Sequence, residues 1–281
     1  MSRSLYVIDN PLESANARIE SFSVSLEGDP MLTHTDLFSL THVAGGDDEY
    51  LWILGVLNPM VAFDPPVTLV RVPLSRFDER SPTLRGEIVM RWLGFGGQLY
   101  FERETPLGAA VFVVTSGTQN EVHALCRQSG DPLTEPLEVA SSAVAHVSEA
   151  VVAFPSAGSI VIDDVADPAP WITDIPGTLV PMQSPGPTIV VRDGRDLVLI
   201  EVSHPQRSWT EARRWPIAHQ VPDERLNKYS SGFWTSDGPA LLYNYELPWY
   251  SRIIVGDSIA RMSRNAFRMT ETKSVFVNYR R

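Results

Sequence analysis

The stretch TIVVRDGRDLVLIEV, residues 188–202, reads as two β-strands joined by a tight turn. Thr188 to Val191 and Leu197 to Val202 are dense in β-branched side chains, which suit a pleated, packed surface. Between them, Asp193-Gly194 supplies the positive φ that a short reversal needs, because glycine has no Cβ to clash. The same unit recurs along the chain. Further copies run from Phe38 to Leu57, Glu87 to Glu102, Ala143 to Phe154, Ser230 to Glu246 and Phe267 to Tyr279. Each places Gly, Asp, Ser or Glu where the chain must turn.

Strand signals continue between these hairpins, at Val67 to Val72, Ala109 to Thr115, Glu121 to Leu125, Ser159 to Ile162, Trp171 to Asp174, Ser251 to Val255 and Ser258 to Met262. Two more stand near the beginning, at Leu5 to Ile8 and Ala17 to Leu26. Only Thr210 to Trp215 hints at a helical period, and it is too short to form a stable helix. The chain is therefore expected to be all-β.

With 281 residues, 43 % hydrophobic and 20 % charged, the sequence can bury a sizeable core. The single cysteine, Cys126, excludes an internal disulfide framework and points to a reducing, cytoplasmic setting. No run approaches the roughly 20 apolar residues of a membrane-crossing helix, so no membrane partner is expected. A net charge of −11 argues against nucleic acid, whose phosphates are bound by clustered Lys and Arg.

Val43, Trp92, Val147, Val191, Trp234 and Thr270 occupy comparable places in the six hairpins. They recur at uneven spacings of 49, 55, 44, 43 and 36 residues, around the roughly 40 to 50 of a four-stranded propeller blade. On this strand pattern and period the whole chain resembles the β-propeller superfamily. No Trp-Asp blade ending, kelch double glycine or Asp box is present to narrow it further. The resemblance implies one six-bladed domain over residues 1–281. The two N-terminal strands would complete the last blade, which closes the ring and leaves no exposed sheet edge. Five or seven blades, or a β-sandwich, are the alternatives.

In such a fold the first strand of each blade lines a central channel. The residues preceding the aligned positions are His42, Arg91, His146, Val190, Phe233 and Met269, among which only the two histidines repeat, and this divergence points to one asymmetric site and not to repeated ones. His42 and His146 are candidates for proton transfer, and Arg91 for polarising a carbonyl. Trp92, Trp234, Trp249, Tyr250 and Arg192 are candidate substrate-binding residues, since aromatic faces stack on sugars and flat apolar rings. Turn carboxylates such as Asp47, Asp48, Glu149, Asp193 and Asp237 could hold Ca²⁺, although turn geometry alone explains acidic residues there.

No phosphate loop, dinucleotide fingerprint, nucleophile elbow or metal-binding helix occurs. The expectation is a cofactor-independent enzyme with a small-molecule ligand in the channel, catalysing cyclisation, isomerisation or elimination. The alternatives are an intracellular carbohydrate-binding propeller and a metal-dependent propeller hydrolase or lactonase.

Overall fold

The computed structural model describes residues 4–8, 19–27, 37–44, 50–57, 67–73, 83–217, 229–235, 238–244, 250–255, 258–263, 267–269 and 274–278. Every regular element among them is a strand. By their internal contacts they form two compact units. The first comprises Met1–Leu99, Thr115–Thr118 and Arg264–Arg281, and the second Tyr100–Val114 and Gln119–Ser263.

The chain begins with β1 (Ser4–Ile8) and β2 (Ile19–Glu27). A first meander follows: β3 (Leu37–Ala44), β4 (Tyr50–Leu57), β5 (Val67–Pro73) and β6 (Thr83–Trp92). The second is β7 (Gly94–Glu102), β8 (Ala110–Gly117), β9 (Asn120–Cys126) and β10 (Leu137–Val139). The third is β11 (Ala145–Ser148), β12 (Val151–Ser156), β13 (Ser159–Asp164) and β14 (Trp171–Ile172). The fourth is β15 (Thr178–Leu179), β16 (Thr188–Asp193), β17 (Asp196–Ser203) and β18 (Ser208–Pro216). The fifth is β19 (Tyr229–Thr235), β20 (Gly238–Asn244), β21 (Tyr250–Val255) and β22 (Ser258–Ser263), and β23 (Phe267–Met269) and β24 (Ser274–Asn278) come last.

The second to fifth meanders are separate four-stranded antiparallel sheets. The first belongs to an eight-stranded sheet in the order β23-β24-β1-β2-β6-β5-β4-β3. Within it β1 pairs antiparallel with β24, Leu5 opposite Val277 and Tyr6 opposite Phe276, so strands from the two ends of the sequence do join. The unforeseen feature is the parallel pairing of β2 with β6, Ser23 opposite Thr83, which fuses two four-stranded groups into one sheet.

In the second unit, consecutive sheets pack face on face. Tyr100, Ala110, Phe112 and Val114 of the second sheet meet Val152, Phe154 and Val161 of the third. The alternate residues Val151, Ala153, Ile160 and Ile162 turn the other way, onto Ile189, Val191, Val198 and Ile200 of the fourth. Val190 and Leu197 of the fourth in turn meet Leu241 of the fifth. A sheet covered on both sides is apolar at every position, which explains the uninterrupted runs Ala110 to Val114 and Val151 to Phe154. A two-layer sandwich would leave one face of each sheet to solvent, with alternating polarity. Four-stranded antiparallel sheets stacked in sequence order fit the blades of a β-propeller.

Two readings of the hairpins are corrected. Glu87 to Glu102 is not a hairpin, since β6 pairs with β5 and β2 while β7 is the edge of the next sheet. Its glycines have the composition of a turn, but Gly94 begins a strand, and a Cβ there would strike the Ser116 carbonyl oxygen. The Thr188–Val202 hairpin forms as expected, with Asp193 opposite Asp196 and Gly194 at φ 58°. It holds the second and third places of its sheet, however, because the two-residue β15 precedes it. Trp92 and Val191 are thus not equivalent to Val43 or Val147: Trp92 ends a fourth strand, and Val191 lies on a second.

Candidate functional site

The expected site residues fall in different settings. His42 lies on β3 opposite Leu54 and Tyr250 opens β21 opposite Ser263, while Trp249 is outside the described residues. Arg91, opposite Thr68, is exposed, and Trp92, opposite Val67, is half-buried. Both sit on the fourth strand of the first meander, not on a first strand as the alignment required.

His146 is 1 % exposed. Its ring lies 5.2 Å from that of Phe112 and 6.0 Å from that of Tyr100, and Nε2 is 3.1 Å from the Glu149 carbonyl oxygen. The Tyr100 hydroxyl donates to the Val144 carbonyl. A histidine packed by two aromatics and bonded to a turn carbonyl holds the Ser148–Ala150 reversal, where Glu149 takes a φ of 49°.

Beside it runs a segment the sequence did not reveal, Val180 to Ser184, which ties four sheets together. Val180 N–H donates to the Val190 carbonyl at 2.9 Å, His146 N–H to Met182 at 3.2 Å, and Gly232 N–H to Pro181 at 3.1 Å. The Gln183 amide clamps β7, donating to the Phe101 carbonyl at 2.7 Å and accepting from its N–H at 3.3 Å. Val180 and Met182 are buried at 0 % and 1 % exposure.

Arg192 donates to the Gly194 carbonyl at 2.7 Å and so braces its own turn. Asp193, at the same turn, belongs to a surface network. Arg214 on β18 donates to Asp193 at 3.0 Å, Asp196 at 3.1 Å and Glu211 at 2.9 Å. Glu211 is held below the usual carboxylate range by its bond to Arg214. Among the described residues no three His, Cys, Asp or Glu side chains gather to hold a metal ion.

Trp234 is the expected residue with the most developed surroundings. It stands edge-on to Trp215, with ring centroids 5.8 Å apart and planes at 87°. Arg213 lies over the Trp215 ring, its guanidinium carbon 4.8 Å from the centroid. Gly238, at φ 123°, comes so close that a Cβ there would stand 2.8 Å from Trp215 Nε1.

A β-bulge builds this arrangement. Ile200 pairs with Glu211 but Leu199 pairs with Arg213, so Ala212 is an extra residue in β18. An extra residue reverses the alternation of faces beyond it. Trp209 and Glu211 therefore share the face of Val202 and Ile200, against the third sheet, while Arg213 and Trp215 share that of Leu199 and Leu197, toward the fifth. The junction of the fourth and fifth sheets thus carries two half-buried indoles and one exposed guanidinium. Trp215 and Arg213 belong to no motif, and only the pairing of β18 with β17 places them at this junction.

No protein family and no curated protein matches the chain. Among solved structures it is similar to TolB from Acinetobacter baumannii, at 12 % identity and a TM-score of 0.41, over 99 % of this chain and 64 % of that one. The chain thus spans a little under two thirds of that protein's length.

Proposed function

We propose that this protein is a six-bladed β-propeller that binds a ring-shaped small molecule between its fourth and fifth sheets. Six four-stranded groups underlie the count, five meanders and the set β23-β24-β1-β2, and the β1–β24 pairing supports closure by strands from both ends.

The observation that carries the binding reading is the Trp215–Trp234 pair with Arg213 over it. Indole faces stack on planar rings, an aromatic pair being worth about 0.5–1.5 kcal/mol beyond simple burial, and offer the same apolar surface to a pyranose. The reading belongs to the carbohydrate-binding class anticipated above. A cyclising, isomerising or eliminating activity would be an addition to it, seen as consumption of the bound ring.

The test is tryptophan emission and thermal shift during titration with a panel of pyranosides and aromatic rings, with product analysis of each mixture. Binding that changes emission in the native protein and is lost in Trp215→Phe supports the reading. A panel that leaves emission and melting unchanged, or is bound equally by Trp215→Phe, overturns it.

A further inference from the structure

We infer that the ring held at the Trp215–Trp234 junction carries a carboxylate, with Arg213 as its counter-ion. The inference rests on the ring-binding reading and narrows the ligand class.

Arg213 and Arg214 are adjacent on β18 beyond the bulge at Ala212, so the alternation of the strand turns them to opposite faces. Arg214 turns to the side where Asp193, Asp196 and Glu211 stand, and its guanidinium is taken up by all three at 2.9–3.1 Å. Arg213 turns to the other side. There its contact is the Trp215 ring, and among the described residues it makes no ion pair. Because neighbouring strand residues face opposite sides, carboxylates gathered on one face serve only one of the two arginines. Here the three acids are all on one face.

An exposed arginine over an indole gains only about 0.5–1 kcal/mol from the ring. Its planar fork remains available, and a carboxylate is what that fork matches best, through two parallel charge-assisted bonds. A ring lying against the indoles would bring its carboxylate within reach of Arg213. On a chain of net charge −11, anions are repelled generally, so one unpaired cation beside an aromatic surface also gives selectivity.

The experiment is calorimetric titration with two matched pairs, methyl glucuronide against methyl glucoside and benzoate against benzyl alcohol. Each pair shares a ring and differs in the carboxylate. The acidic member is expected to bind at least about tenfold tighter at low ionic strength, with the preference shrinking as salt is added. Arg213→Gln should make the affinities within each pair equal, whatever it does to the neutral ring, whereas Arg213→Lys should keep part of the preference. Arg213 is exposed, and an unchanged melting temperature establishes that each variant is folded. Equal affinities within the pairs, or a preference that survives Arg213→Gln, would overturn the inference while Trp215-dependent binding of the neutral rings upheld the reading beneath it. If no member of either pair binds, the ring-binding reading fails and the carboxylate inference falls with it.

Discussion

Gly238 lies against the indole of Trp215, leaving no room for a β-carbon between them. The backbone there takes a φ of 123°, which an L side chain rarely adopts. Gly238→Ala therefore meets a steric and a conformational penalty together. It is expected to lower stability by about 1–3 kcal/mol and to shift tryptophan emission. Urea denaturation followed by fluorescence reads both effects, and an unchanged midpoint would mean that Trp215 does not pack there.

Gln183 replaces a stretch of sheet with one side chain, satisfying both the N–H and the carbonyl of Phe101. Gln183→Ala leaves two backbone groups without protein partners, at a cost of about 1–3 kcal/mol. Hydrogen exchange at the Phe101 amide should speed up more than that of residues 111–114. Gln183→Glu should cost at least as much, because a carboxylate cannot donate to the Phe101 carbonyl.

The pairing of Tyr6 with Phe276 makes the joining of the two sequence ends accessible to chemistry. Opposed residues of an antiparallel pair have Cα atoms about 4.5–5.5 Å apart, within the range of a disulfide. On a Cys126→Ser background, cysteines at Tyr6 and Phe276 are expected to cross-link on mild oxidation and to raise the denaturation midpoint. A pair at Tyr6 and Val275, one residue out of register, should not. Equal cross-linking of both pairs would dismiss this register.

His123 offers a pH handle. Its Nε2 stands 3.0 Å from Glu121, which favours the charged ring, yet burial outweighs the carboxylate and pulls the pKa below 6.5. The unfolded chain then holds the proton more tightly than the folded one. The stability linked to this group is present above pH ~6.5 and is lost as pH falls through the lower folded value. His123→Gln should flatten the melting profile in that window, and an unaltered slope would contradict the assignment.

The strands were legible in the sequence because most are short β-branched runs closed by turn residues. The Thr188–Val202 hairpin, the joining of both ends and even the Asp193 turn could be read in this way. What could not be read were places where local pattern and pairing part company. The two residues of β15 show no alternation at all, so the hairpin after them was assigned to the wrong place in its sheet. The glycines from Gly94 to Gly97 resemble a turn, but Gly94 is glycine because a neighbouring strand passes too close for a side chain. The extra residue Ala212 breaks the period of two, so the pattern of residues 209–215 does not tell which face Arg213 and Trp215 take. Of the expected site, Trp234 stands against Trp215, which carried no signal in the sequence, whereas His146 is enclosed by Tyr100 and Phe112 for packing reasons that no motif announces.

The most direct test of the binding account is the indole region of a nitrogen–proton correlation spectrum, recorded while methyl glucuronide is titrated into the protein. The chain has seven tryptophans, each with one indole N–H signal that can be assigned by single Trp→Phe substitutions. The account predicts that the signals of Trp215 and Trp234 move together and saturate while those of Trp171 and Trp209 stay in place. Movement confined to Trp171 and Trp209, or no movement of any indole signal at saturating ligand, would contradict it.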